Sequence, residues 1–169
     1  MALFSEYWKD NIKSGDFIAY TSKYKTGWSS LWGFLISFFT LSRYSHVGIA
    51  LRLGDRVFLA SADLPEVKLE PLYKTRPFYH VSMNVEWNEK FTEEIIKHIG
   101  EKYSIIEAIR GMFKIHNENN DKWFCTEFVK VMYEKLGIMT FEGDMTPEGM
   151  VKELLEKENK KLVYVDTSL

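Results

Sequence analysis

The strongest constraint in this sequence is a pair of runs around one tight turn. Tyr44-Ser45-His46-Val47-Gly48-Ile49-Ala50-Leu51-Arg52-Leu53 is rich in β-branched and apolar residues, Gly54-Asp55 follows, and Arg56 to Ala62 runs back. A two-residue Gly/Asp connection between such runs specifies an antiparallel hairpin. The chain must therefore build a sheet around residues 44–62, with its other elements packed on that sheet.

The remaining punctuation fits an α+β chain. Phe4 to Ile12 reads as a short helix or extended lead-in, Ser14-Gly15-Asp16 as a turn, and Phe17 to Tyr20 as a strand. Ser22 to Gly27 is loop-like, and Ser29 to Phe39 has helical spacing. Val67 to Leu72 and Tyr79 to Val85 are strand candidates, with Pro71 and Pro77 limiting any ladder between them. Thr92 to Tyr103 reads as a helix capped by Thr92, Ser104 to Phe113 as another, and His116 to Lys122 as a loop. Phe124 to Leu136 is helical and ends at Gly137. Thr146-Pro147 opens a helix that runs to about Asn159, and Leu162 to Val165 is a closing strand. The expected architecture is an antiparallel sheet with helices packed around it. With no repeat, low-complexity tract or Pro/Gly/Ser linker, residues 1–169 read as a single domain.

Composition narrows the function classes. A net charge of −2 without clustered basic residues gives no reason to expect a nucleic-acid partner. One cysteine excludes an internal disulfide framework and a cysteine-rich zinc site, and no His-x-x-x-His pair is present, so no metal or cofactor is expected. The start, Met1 to Asp10, lacks the basic-then-apolar pattern of a secretory signal, and a cytoplasmic location is expected. The most apolar stretch, Trp28 to Leu41, is about 14 residues, short of the ~20 that cross a bilayer. It reads as a buried or surface-docking helix, the one segment suited to peripheral membrane contact.

Two residues carry candidate chemistry. Cys125 begins an amphipathic run with Phe128 or Val129, Met132 and Leu136, which places its sulfur on the inner face of the first turn. A helix N-terminus stabilises negative charge and so favours a thiolate. Position alone also fits a buried structural cysteine, the commoner role. His46 lies within the first hairpin strand. If Val47 and Ile49 face one side, His46, Gly48 and Ala50 face the other, where two small residues leave space for a groove floor. A hydrogen-bonded strand histidine fits equally well.

Several fragments in order resemble a known family. Gly15-Asp16-Phe17-Ile18, Tyr44-Ser45-His46-Val47-Gly48-Ile49, Cys125-Thr126-Glu127-Phe128-Val129, Tyr133-Glu134-Lys135-Leu136-Gly137 and Thr146-Pro147-Glu148-Gly149-Met150 are similar to the circularly permuted branch of the NlpC/P60 papain-like superfamily. That branch includes YiiX-like proteins and is related to lecithin–retinol acyltransferases. The likeness spans Lys13 to Leu155. It implies a permuted papain-like fold, with Cys125 as nucleophile at a helix N-terminus and His46 as general base. It also implies a polar or acidic partner on the strand after the histidine strand. The matching positions are Leu59 and Ser61, of which Ser61 is expected to orient His46 by a hydrogen bond. Asp63 shares that strand parity further along. The expected activity is cysteine-dependent hydrolysis of an amide or peptide bond. The alternatives are a lipid-directed acyl hydrolase or acyltransferase, entered past residues 28–41, and an inactive binding module of the same fold.

Overall fold

The computed structural model describes residues 2–21, 43–103 and 124–167. The expected helices at 29–39 and 104–113, the loops at 22–27 and 116–122, and the whole apolar stretch 28–41 lie outside the described residues.

The described chain runs β1 (Ala2–Leu3), α1 (Phe4–Asn11), β2 (Phe17–Thr21), β3 (Tyr44–Leu53), β4 (Arg56–Asp63), β5 (Glu66–Pro71) and a 3-10 turn (Leu72–Lys74). It continues through β6 (Phe78–Val81), α2 (Glu89–Lys97), α3 (Cys125–Lys135), α4 (Pro147–Glu156) and β7 (Leu162–Asp166). The strands form one sheet in the order β1-β7-β6-β2-β3-β4-β5. Neighbours are antiparallel except β1 and β7, where the first and last strands pair in parallel. The expected antiparallel sheet thus covers six strands, β2 to β7, and β1 adds to its edge in parallel.

The hairpin forms as its sequence dictates. Gly54 takes φ +56 at the turn, and Leu53 pairs with Arg56 and Ile49 with Ala60. Alternation then sorts side chains to two cores. Val47, Ile49, Leu51, Ala60 and Ala62 face α3 and α4, whereas Ala50, Val57 and Leu59 join Ile12, Ile18, Tyr20 and Phe78 on the face covered by α1. Tyr133 ties α3 to the start of β2 by donating its hydroxyl proton to the Gly15 carbonyl at 2.7 Å.

Boundaries shift where a local hydrogen bond outcompetes propensity. The helix expected from Thr92 begins at Glu89, because the Asn88 side chain accepts from the Phe91 N–H and becomes the cap. The Thr92 hydroxyl instead accepts from the Trp87 indole at 2.9 Å. That helix stops at Lys97, and Gly100 (φ +90) turns the chain back along β5, where Glu101 accepts from the Val67 N–H and Tyr103 donates to Pro65. The strand expected to reach Val85 ends at Val81, and Asn84 (φ +55) leaves extended backbone. The helix from Pro147 ends at Glu156 rather than Asn159. Thr146 caps it as expected, accepting from the Gly149 N–H at 3.0 Å. No described helix is long and apolar enough to cross a membrane.

The expected groove floor beside His46 is not open. A Cβ at Gly48 would sit 2.7 Å from Leu59 Cδ1, 2.8 Å from the Ala60 carbonyl oxygen and 2.9 Å from Ser61 Cβ. Ala50 is fully buried in the α1-side core. Gly48 thus serves close strand packing. Because two of those three neighbours are fixed by the β4 backbone, G48A is expected to destabilise the chain by about 2–3 kcal/mol. A lowered urea midpoint with unchanged m-value checks this. An unchanged midpoint would show that β3 and β4 separate easily.

Candidate active site

Cys125 is the first residue of α3, preceded by Phe124 in an extended conformation as the cap residue. The Thr126 hydroxyl donates to the Met145 carbonyl at 2.7 Å, and the Phe128 N–H bonds back to Phe124. These bonds fix the first turn, whose remaining amides point out of the helix start. The cysteine is 8% exposed and joins the core that α3 forms with Val47, Ile49 and Ala62.

His46 is half-buried, with its ring 6.0 Å from that of Tyr20. Tyr20 belongs to the α1-side core. Strict alternation would put His46 on that face too, away from Cys125. The alternation breaks at this point: Tyr20 pairs with His46 but Thr21 with Tyr44, leaving Ser45 as the extra residue of a bulge. Tyr44 and Val47, three residues apart, consequently both face α3. A bulge bends its strand and re-aims the side chains beside it.

Asp63 ends β4. Extending the register three places beyond Ile49 and Ala60 brings it level with His46. Burial acts to raise its carboxyl pKa. The His46 charge, the Lys68 ammonium at 3.2 Å and the Leu64 N–H together outweigh burial and hold the group well below the usual carboxylate range. Tyr103 adjoins the β4–β5 turn. Burial raises its phenol pKa first, and the charges of Cys125 and Asp63 raise it further, so it stays protonated. Cys125 and Asp63 both act on Tyr103, and His46 acts on Asp63.

The hydrogen bond expected from Ser61 to His46 is not formed: the Ser61 hydroxyl is buried and makes no hydrogen bond among the described residues. Asp63, level with His46 across the hairpin, is a polar group on which the His46 charge acts. The two-residue turn could have revealed this: with Leu53 opposite Arg56, counting back along both strands sets His46 against Asp63.

Two further features escaped sequence reasoning. Arg76 lies over the Tyr20 ring, with its guanidinium carbon 4.8 Å from the centroid. On the α1 side, His80 and Asp16, 2% and 1% exposed, meet at 2.8 Å, and the Tyr7 hydroxyl lies 3.0 Å from the other His80 nitrogen. Neither pairing has a local sequence signal, since the partners are 64 and 73 residues apart.

No family model matches the chain. No curated protein matches it. Among solved structures it resembles the crystal structure of metalloprotein yiiX from Escherichia coli O157:H7. The TM-score is 0.57 and the identity 19%, covering 78% of this chain and 69% of that one. At that identity the likeness concerns the fold, which is a YiiX-like α+β arrangement. In this chain no three His, Cys, Asp or Glu side chains among the described residues are arranged to hold a metal ion. The described residues therefore offer no ligand set for a metal centre.

Proposed function

We infer that the chain is a cysteine hydrolase of the permuted papain-like kind, cleaving an amide or peptide bond. What supports this reading most directly is the chain of charge effects in which Cys125, at the start of α3, and Asp63 act on Tyr103, while His46, beside the β3 bulge, acts on Asp63. Cys125 Sγ gives its proton to His46, and the thiolate attacks the substrate carbonyl carbon. Charge developing on the carbonyl oxygen meets the amides of the α3 first turn. The tetrahedral adduct collapses with cleavage of the C–N bond, and imidazolium protonates the departing amine. Water, deprotonated by His46, then hydrolyses the thioester and restores the thiol. Asp63 stabilises the imidazolium. The reading requires His46 to reach the sulfur around the end of the sheet, at the bulge.

The test is the pH dependence of alkylation by iodoacetamide. A coupled thiol reacts below the ordinary range near pH 8.5. H46A is expected to slow alkylation at pH 6–7 by about tenfold, since thiolate is then formed without its counter-charge. D63N has a defined sign. Removing the carboxylate weakens the imidazolium, so the thiolate–imidazolium pair is lost at lower pH than in the native chain. Equal rates and equal apparent pKa for the native chain and H46A would identify an ordinary thiol and remove the hydrolase reading.

A further inference from the structure

Arg76 is a basic side chain near His46 that feels the charge of Asp63 but forms no ion pair with it. Lys68 lies 3.2 Å from both Asp63 and Glu70, so it already serves two carboxylates. Arg76, half-buried and lying over Tyr20, joins no ion pair and donates no side-chain hydrogen bond among the described residues. Its platform is fixed. The Tyr20 hydroxyl donates to Thr75 Oγ1 at 3.1 Å, and Thr75 Oγ1 donates to the Leu72 carbonyl at 2.7 Å. A guanidinium seated over an aromatic ring can offer its donors as the fork that suits a carboxylate. Asp63 and Glu70 balance Lys68 and Arg76, and an imidazolium at His46 balances the Cys125 thiolate that formed it, so an incoming carboxylate meets no net negative charge.

We propose that Arg76 forms a carboxylate-recognition site beside His46, selecting acyl or peptide substrates that carry an acidic group near the scissile carbonyl. The proposal rests on the hydrolase reading and deepens it by naming the substrate class. The two ring contacts, Arg76 to Tyr20 and Tyr20 to His46, place the guanidinium within reach of one or two substrate residues from the imidazole. An alternative role for Arg76 is simply to cover Tyr20, and that role gives no preference between charged and neutral ligands.

Two matched electrophiles separate these roles. N-chloroacetyl-glutamate α-amide and its glutamine counterpart differ only in one carboxylate, and each alkylates Cys125 with loss of chloride. The native chain is expected to react roughly tenfold faster with the glutamate compound, the scale of a charge-assisted hydrogen bond. R76Q should remove that preference, and R76K should retain part of it. A second reading does not depend on the thiol. In the C125A chain, arginine side-chain resonances are titrated with N-acetyl-glutamate α-amide and N-acetyl-glutamine α-amide. Saturable shifts at Arg76 with the glutamate compound alone support the site. Failure of the pair reading appears as iodoacetamide rates indifferent to H46A. Failure of the carboxylate site appears as no glutamate preference and no Arg76 shift, whatever His46 does.

Discussion

C125A is expected to reduce amide hydrolysis by at least ~10³-fold, to the level that the remaining site gives without a nucleophile. The measurement is product formation from a pool of short peptides, muropeptides and acylated amides, resolved by mass spectrometry. The native chain is also expected to show a transient mass increase on Cys125, matching the acyl part of whichever substrate it cleaves. The substitution suits the test because the fold should survive it. The cysteine occupies the first helical position, and Thr126 and Phe128 hold that turn through bonds that do not involve the sulfur. Removing one sulfur from a nearly buried site leaves a small cavity, costing about 1 kcal/mol. C125S is the sharper variant. It keeps the volume, but its hydroxyl is far less acidic than a thiol, so helix-start electrostatics cannot ionise it. Undiminished turnover in either variant would place the chemistry elsewhere. A native chain that cleaves nothing although its thiol is coupled to His46 would point to the binding module.

The two halves of the candidate site differed in how readily they could be read from sequence. Strand β3 and its turn are specified locally. Alternating apolar residues, Gly54-Asp55 and the returning run leave one pairing, and the strand occupies Tyr44–Leu53 as expected. The start of α3 is also local, because amphipathic spacing from Cys125 and Gly137 (φ +64) at the far end bracket the helix. The polar residue level with His46 was obscured by aligning strands to a family pattern, which pointed to Ser61, whereas the hairpin register sets Asp63 opposite His46. The space next to His46 was misjudged for a related reason. Gly48 and Ala50 are small because β4 and the α1-side core fill the volume above them, a tertiary fact that a small residue in sequence does not reveal. Asn88 and Thr92 are both competent caps, and the Trp87 indole settles the choice by engaging the Thr92 hydroxyl.

D16N is expected to be the most destabilising single-atom exchange in the described chain, although Asp16 takes no part in the proposed chemistry. Its carboxylate accepts from His80 Nε2 at 2.8 Å and the Lys13 N–H at 2.8 Å on one oxygen, and from the Met83 N–H at 2.9 Å on the other. A carboxylate only accepts, so His80 Nε2 carries a proton. Burial, then the Asp16 charge, raises the Tyr7 phenol pKa, keeping that group protonated to donate to His80 Nδ1. The network joins α1, the turn before β2, and β6, three segments that meet through no other buried polar group among the described residues. Asparagine keeps the shape but replaces one acceptor oxygen with a donor. If the amide points one way, its NH₂ confronts the Met83 N–H; if it points the other way, it confronts the Lys13 N–H. At least one backbone donor of the network therefore loses its partner in either orientation, and the charge assistance to His80 is lost. The expected cost is about 3 kcal/mol. For a chain of this length that lowers Tm by about 6–12 °C. Thermal unfolding followed by circular dichroism measures it, and amide exchange should show α1 and β6 opening first. A Tm within about 1 °C of the native value would mean that water satisfies these groups as well as Asp16 does. The same experiment separates the two histidines: iodoacetamide reactivity of Cys125 below the unfolding range should remain near native in D16N, because His80 shares the α1-side face with this network while His46 stands at the bulge.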